Sequence, residues 1–403
     1  MPSGIYLGRQ IMFSLSRLFC SSSGIVYLAL LTLLVFLTFT FLTGPVHSID
    51  TQSYSRWADL LISTRFNLDV YFTEIANLPS LRIVFISFVA LLKLGFGAYW
   101  TTIFVMVNCL SISISGYMLM RILQIDNRGT LEIAFIFLVN ILLYERFFWS
   151  RYILSDTSFC LISTALLYFL YRSSRRSKYS HLHVILSLGI CGVACLYRPT
   201  GVVLFPMFVA GLVFSFTKND RLVVTKLIVL LIPILGMIVL IVWAWYMNSP
   251  ALWDESKLSR ILARAHYWFN EGAVVKKRFH TYLPNPKTAL DIFAIEMARL
   301  TQYFRFTTPM FSSAHNIVNV ISFIPLYSLG LVGIWRVIIL LYRHNQPDYI
   351  GILSIIFIVS FAVFHSMFLI DYDWRYRLPC YPPIFLLAAG GVTFIRNLVR
   401  HPV

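Results

Sequence analysis

The stretch "GIVYLALLTLLVFLTFTFLT" covers residues 24–43, and "GPVHSIDTQSYSRWADLL" follows it over 44–61. The first has no charge over a length that matches the roughly 20 residues an α-helix needs to cross a bilayer core. It is too long for a signal-peptide core and has no obvious small-residue cleavage site, so it reads as a retained signal-anchor helix. The second sets Asp50, Tyr54, Arg56 and Asp59 at the lip of that span. Why polar groups gather there depends on where the membrane lies.

The rest of the chain extends this reading. It has 403 residues, 58% hydrophobic and 12% charged, and a soluble domain carries about twice that charged fraction. Apolar runs near twenty residues recur along it, which predicts an all-α polytopic membrane protein. The net charge is +16, from 33 Lys and Arg against 17 Asp and Glu. These cations cluster in short loops, as the positive-inside rule requires, which argues against a nucleic-acid partner and for a bilayer. Cys20, Cys109, Cys160, Cys191, Cys195 and Cys380 are scattered, with neither a metal-type spacing nor a disulfide framework.

Arg9 and Arg17 precede the first span, so the N-terminus is expected on the cytoplasmic side. The basic stretches "RILQIDNR" (121–128), "YRSSRRSK" (171–178), "TKNDR" (217–221), "LYRH" (341–344) and "RNLVRHPV" (396–403) are expected there too. This parity holds only if the short apolar run 81–97, which contains Lys93, lies on the outer face as a juxtamembrane or re-entrant helix. An ordinary crossing is the alternative. Ten crossings result, near 24–43, 101–120, 130–149, 156–171, 182–197, 200–217, 223–246, 316–340, 350–370 and 379–396. Residues 1–246 form an N-terminal transmembrane catalytic module with a first outer loop at 44–100. Residues 247–315 form a small extramembrane subdomain, and 316–403 the C-terminal transmembrane helices.

This threading gathers four clusters on the outer face: "HSIDTQSY" (47–54), "WSRYILSD" (149–156), "LYRPTG" (196–201) and "DYDWRYRLP" (371–379). Charges at membrane depth face cavities or pair with one another. Each cluster also has an ordinary explanation. Asp50 and Asp156 suit helix N-caps, Arg198 before Pro199 suits a helix end, and Trp374, Tyr372 and Tyr376 suit an interfacial belt. Taken together, acids and arginines on one face fit transfer from a lipid-linked phosphate donor. A carboxylate accepts the proton of a weak hydroxyl nucleophile. Arginine matches phosphate oxygens and stabilises a phosphate leaving group.

In order and spacing the chain resembles integral-membrane glycosyltransferases of the C superfamily, in the bacterial branch related to protein O-mannosyltransferases and the aminoarabinose transferase of lipid A. The resemblance rests on Asp50 and Tyr54 after the first helix, "LSD" at 154–156, "RPTG" at 198–201 and "RYRLPCYPP" at 375–383. It implies Asp50 as catalytic base, Asp156 as supporting acid, and Arg198, Arg375 and Arg377 as holders of the lipid phosphate. Tyr54, Arg82 and Tyr376 join them as substrate-binding residues. The Lys-Pro-Pro of aminoarabinose-transferase relatives is absent; "LPSLRIV" stands at 78–84. The implied partners are a polyprenyl-phosphate sugar donor and a lipid, glycan or protein acceptor, met at the outer face of a bacterial inner membrane. No cofactor is required, although a divalent cation shared by Asp50 and Asp156 is an open alternative. A transporter or flippase, or a polymerase or ligase of lipid-linked saccharides, would share some of these features. Asp59 is expected on a solvated face.

Overall fold

The structure is a computed structural model. It describes residues 21–74, 82–175, 180–216, 288–309, 311–368 and 374–400, with a few isolated positions besides. Arg9, Arg17, Asp371, Asp373, nearly all of the expected span 223–246 and most of the expected subdomain lie outside these residues. Among the described residues every regular element is helical, and one isolated bridge joins Val46 to Tyr152.

Helix α1 (Ser22–Thr43) starts at Ser21, whose hydroxyl accepts from Gly24 N at 2.9 Å. Helix α2 (Ile49–Ser63) is capped by Ser48 in a reciprocal capping box with Thr51, which satisfies two donors that a helix start leaves orphaned. The cap is therefore Ser48, and Asp50 sits in the first turn. After the short α3 (Leu68–Glu74), α4 (Ile83–Phe96) runs alongside α2, with Lys93 bonding Asp59 at 2.5 Å. The carboxyl expected to be merely solvated thus has a partner. Gly97, at φ 52°, turns the chain into α5 (Trp100–Ile125). Phe85 and Phe88 both pack on Phe104, so α4 folds back over the first turn of α5.

The remaining helices are α6 (Thr130–Leu142), α7 (Tyr144–Ser150), α8 (Ser155–Arg175), α9 (Ser180–Tyr197), α10 (Phe205–Phe216), α11 (Ala289–Phe304), α12 (Ser313–Tyr342), α13 (Tyr349–Phe368) and α14 (Tyr381–Arg400). They form an up-and-down bundle with two distinct ends. At one end lie Asp50, Tyr144, Asp156, Arg198 and Arg375. At the other, Arg175 and Arg128 meet Asp126, Arg336 meets Asp348, and Arg396 meets Glu132. Helix α5 runs antiparallel to α1, as Ser113 bonds Ala29 O and Arg121 bonds Ser22.

Among the described residues five stretches are long and apolar enough to cross a membrane: α1, α4 with α5, α12, α13 through Met367, and 374–400. Residues 130–142, 181–197 and 199–215 are apolar but shorter. Helix α8 belongs to neither group, yet 15 of its 21 residues are buried. Neighbouring helices enclose it, so lipid never imposes an apolar surface on it.

Three expected spans differ in detail. The run 130–149 breaks at Leu143, whose backbone is extended at φ −70° and ψ 105°. The run 200–217 begins as a 3₁₀ segment, Pro199–Leu204, because Pro199 cannot continue α9. The run 379–396 is likewise led by a 3₁₀ segment, Trp374–Cys380, and continues to Arg400. Helix α11, from the end of the expected subdomain, packs against α13, with Arg299 Nη1 3.5 Å from Ser366 O.

Candidate active site

Local backbone pairing brings the two acids together. Val46 N donates to Arg151 O at 2.9 Å and Ile153 N to Val46 O at 3.3 Å. Thr51, the capping-box residue of α2, also donates its hydroxyl to Ile153 O at 3.2 Å. Asn108 of α5 holds the same turn, donating to Ser150 O and Tyr152 O at 3.1 and 2.9 Å. The starts of α2 and α8 are thereby joined, although about a hundred residues separate them in sequence.

Each acid then pairs with a different arginine. Arg375 Nη1 donates to Asp50 Oδ2 at 2.6 Å, and the Asp50 side chain keeps 40% of its surface exposed. Arg198 Nη1 donates to Asp156 Oδ1, and both of those side chains are buried. Tyr376 connects the pairs. Its ring centroid lies 5.0 Å from the Arg375 guanidinium and 5.1 Å from that of Arg198, within cation–π range. Its hydroxyl accepts from Arg375 at 3.2 Å. His365 of α13 stacks on the Tyr376 ring at 5.3 Å, and Tyr303 of α11 on His365 at 5.4 Å.

Tyr54 completes the group from α2. It is buried, packs edge-on against Phe85 at 4.8 Å, and its hydroxyl accepts from Arg82. Burial pushes this phenol above its ordinary value; the Arg82 charge opposes that rise, and the Asp50 and Asp156 carboxyls add to it. Tyr54 is therefore a neutral donor at physiological pH. Among the described residues three guanidiniums, of Arg82, Arg198 and Arg375, stand against the carboxyls of Asp50 and Asp156, leaving one positive charge. Arg198 Nε, Ser155 Oγ and Thr200 Oγ1 are shielded from solvent and make no hydrogen bond among the described residues. Buried donors without acceptors are costly, so an anion reaching them would be welcome.

Arg377 is the sequence-named residue that the structure does not bring to this group. It is buried, bonds Glu145 and Arg305 O, and donates from Nε to Tyr381 OH at 2.9 Å. Its guanidinium also lies 4.6 Å from the ring centroids of Phe323 and Trp374. Side-chain spacing explains the split: Arg375 and Arg377 sit two apart on a 3₁₀ turn and leave it on different sides. Trp374, expected in an interfacial belt, is buried under Arg377. Sequence reasoning missed Glu145, His365 and Tyr303. Glu145 did leave a signal, an acid beside Arg146 inside the expected span 130–149.

Among the described residues, no three His, Cys, Asp or Glu gather closely enough to hold a metal. Asp50 and Asp156 each face an arginine rather than each other. An apolar groove of about 340 Å³ runs between Pro199–Leu204, α10 and α13, with Val202, Val203, Pro206, Val363, Phe364 and Met367 in its lining; Val202 closely follows Arg198 in sequence and Phe364 adjoins His365. Compared with protein-family models, curated proteins and solved structures, the chain matches none.

Proposed function

We propose that the protein is a membrane glycosyltransferase. In this reading it moves a sugar from a polyprenyl-phosphate donor to a lipid, glycan or protein acceptor at the outer face of a bacterial inner membrane. One observation carries the proposal: two arginine–carboxylate pairs share the Tyr376 ring, and an apolar groove is lined by Val202 and Phe364, neighbours in sequence of Arg198 and His365. A polyprenyl phosphate needs this combination of a cationic end and an apolar channel. The tail would lie along Val202, Pro206 and Phe364, and the phosphate would reach Arg198 and Arg375, with Arg82 at the edge.

In the proposed step the acceptor oxygen attacks the anomeric carbon opposite the phosphate. The carbon–oxygen bond to the lipid phosphate breaks, and its electron pair stays on the phosphate, stabilised by the arginines. Asp50 takes the acceptor's proton. A phosphate bound to Arg375 would compete with Asp50 for that cation and release the carboxylate for this role. One displacement inverts the sugar. Asp156 holds Arg198 in place, and Tyr54 donates to the sugar or acceptor.

Ten crossings fit the reading, with α8 as an enclosed one. Helices α2 and α4 lie at the Asp50 end, which supports an outer-face position for 81–97. The arginine-rich Asp126 end would then be cytoplasmic.

Incubation of the purified full chain with a radiolabelled polyprenyl-phosphate sugar and a membrane-glycan extract tests the proposal. Label should move covalently to the acceptor with inversion. Label that changes leaflet in proteoliposomes while staying on its lipid would mean a flippase, and would overturn the enzyme reading.

A further inference from the structure

The end of the bundle remote from Asp50 holds a polar cavity of about 320 Å³. Asp126, Arg128, Arg175, Arg336, Asp348 and Arg396 line it. Its size lies at the small end of the roughly 300–1,000 Å³ typical of ligand cavities. The four arginines come from four places: the α5–α6 turn, the end of α8, α12 and α14. Such convergence is expensive, because guanidiniums repel one another and lose hydration, so it must be compensated.

Part of the compensation is internal. Arg128 bonds Asp126 at 2.6 Å and Asp348 at 3.0 Å. Arg175 also bonds Asp126, and Arg336 also bonds Asp348. Arg396 bonds Glu132 at 3.0 Å. Among the described residues four cations thus share three carboxylates, and one positive charge is left. The donors are unevenly used as well. Among the described residues Arg336 and Arg396 each bond through Nη1 alone. Arg396 Nε is shielded from water and makes no hydrogen bond among the described residues.

We propose that this cavity binds a phosphate group, bridging Arg336, Arg396 and Arg175. A phosphate monoester offers three strong acceptor oxygens in a tetrahedral spread, whereas a carboxylate offers two in one plane. Arginine forks pair with such oxygens two at a time. The ligand neutralises the surplus charge and gives the unused donors acceptors. Two sources present this chemistry, free phosphate compounds in the adjoining aqueous phase and the headgroup of an anionic phospholipid. The site is independent of the transfer reaction proposed for the other end.

Binding of inorganic phosphate to the full chain in a neutral detergent, at low ionic strength with chloride as control, is the direct measurement. Saturable binding should weaken roughly ten- to a hundredfold in Arg396→Gln and in Arg336→Gln, and should be unchanged in Leu290→Ala, an exposed position outside both sites. Arg336 supports Asp348, so Arg396→Gln, whose side chain is a quarter exposed, carries the test if Arg336→Gln fails to fold. Native mass spectrometry of protein released from nanodiscs of phosphatidylcholine with phosphatidate separates the sources. Retained phosphatidate, lost in Arg396→Gln, assigns the site to a lipid headgroup; phosphate binding without retained lipid assigns it to a soluble phosphate. Binding of neither probe, or binding that folded Arg396→Gln leaves intact, overturns the proposal.

Discussion

Asp50 is the second residue of α2, and Ser48 with Thr51 caps that helix without it. This separates two consequences that a capping aspartate would confuse. Asp50→Asn should leave α2 intact while lowering single-turnover transfer about 10²–10⁴-fold, the usual worth of a general base. Donor binding should be largely retained. Near-wild-type transfer by the folded variant would send the search for the base to Asp156. Arg375 and Arg377 make a matched contrast two residues apart. Arg375→Ala leaves only a half-exposed carboxylate behind, so it should fold and bind donor roughly tenfold or more weakly. Arg377→Ala strands the buried Glu145 carboxylate, which costs about 3–5 kcal/mol. It should lower the unfolding temperature in detergent while leaving donor affinity of the folded fraction unchanged. Arg377→Met with Glu145→Gln should recover much of the loss, because neither partner is then left charged and alone. A normal unfolding temperature in Arg377→Ala would refute the clamp.

Helices α12 and α14 approach closely because glycines face each other's backbones. A Cβ on Gly333 would lie 1.9 Å from Leu387 O, and one on Gly391 would lie 2.2 Å from Leu329 O. Small residues let membrane helices touch in this way, where lipid gives little hydrophobic drive for association. Gly333→Val should force the pair apart and destabilise the protein by about 1–3 kcal/mol or more. Gly330→Ala, where an added Cβ meets nothing within 4 Å, should be neutral or slightly stabilising through helix propensity. Thermal unfolding of the two variants in one detergent compares them, and equal behaviour would mean the close crossing is not as drawn. The pair also positions chemistry: α14 follows directly on the 3₁₀ segment that carries Arg375 and Tyr376. Displacing α14 should therefore lower transfer as well as stability.

For the whole molecule, ion pairs sort into two ends, with Asp50–Arg375 and Asp156–Arg198 at one and Asp126, Asp348 and Glu132 with their arginines at the other. Gln52 and Asn127 are exposed at opposite ends. Single cysteines placed there should react with a membrane-impermeant maleimide from opposite sides, Gln52→Cys in intact cells and Asn127→Cys only after permeabilisation. Labelling of both from the outside would invalidate the proposed orientation, and with it the outer-face site. Helix α8 shows why the middle of such a bundle need not be greasy. Ser158, Ser163, Thr164 and Ser173 are buried within it, facing protein rather than lipid, with their hydroxyls bonded to nearby groups.

The apolar runs of twenty residues and the scarcity of charge were enough to read an all-helical membrane chain from sequence, because a bilayer admits few other backbones. Asp50, Asp156, Arg198 and Arg375 also stood out in sequence, since charge beside an apolar run is costly and therefore conspicuous. Their pairing did not. Which arginine meets which carboxylate depends on the stitch between Val46 and Ile153 and on the side from which each residue leaves its turn. Neither is encoded in local spacing. Arg377 looked equivalent to Arg375 in "DYDWRYRLP", and only its burial against Glu145, 232 residues away, distinguished them. The same holds for the cavity at the far end. Arg128, Arg175 and Arg396 read as ordinary cytoplasmic loop charges, and Arg336 as part of the expected span 316–340, until α8, α12 and α14 brought them together, because long-range packing, not sequence neighbourhood, sets the distance between charges.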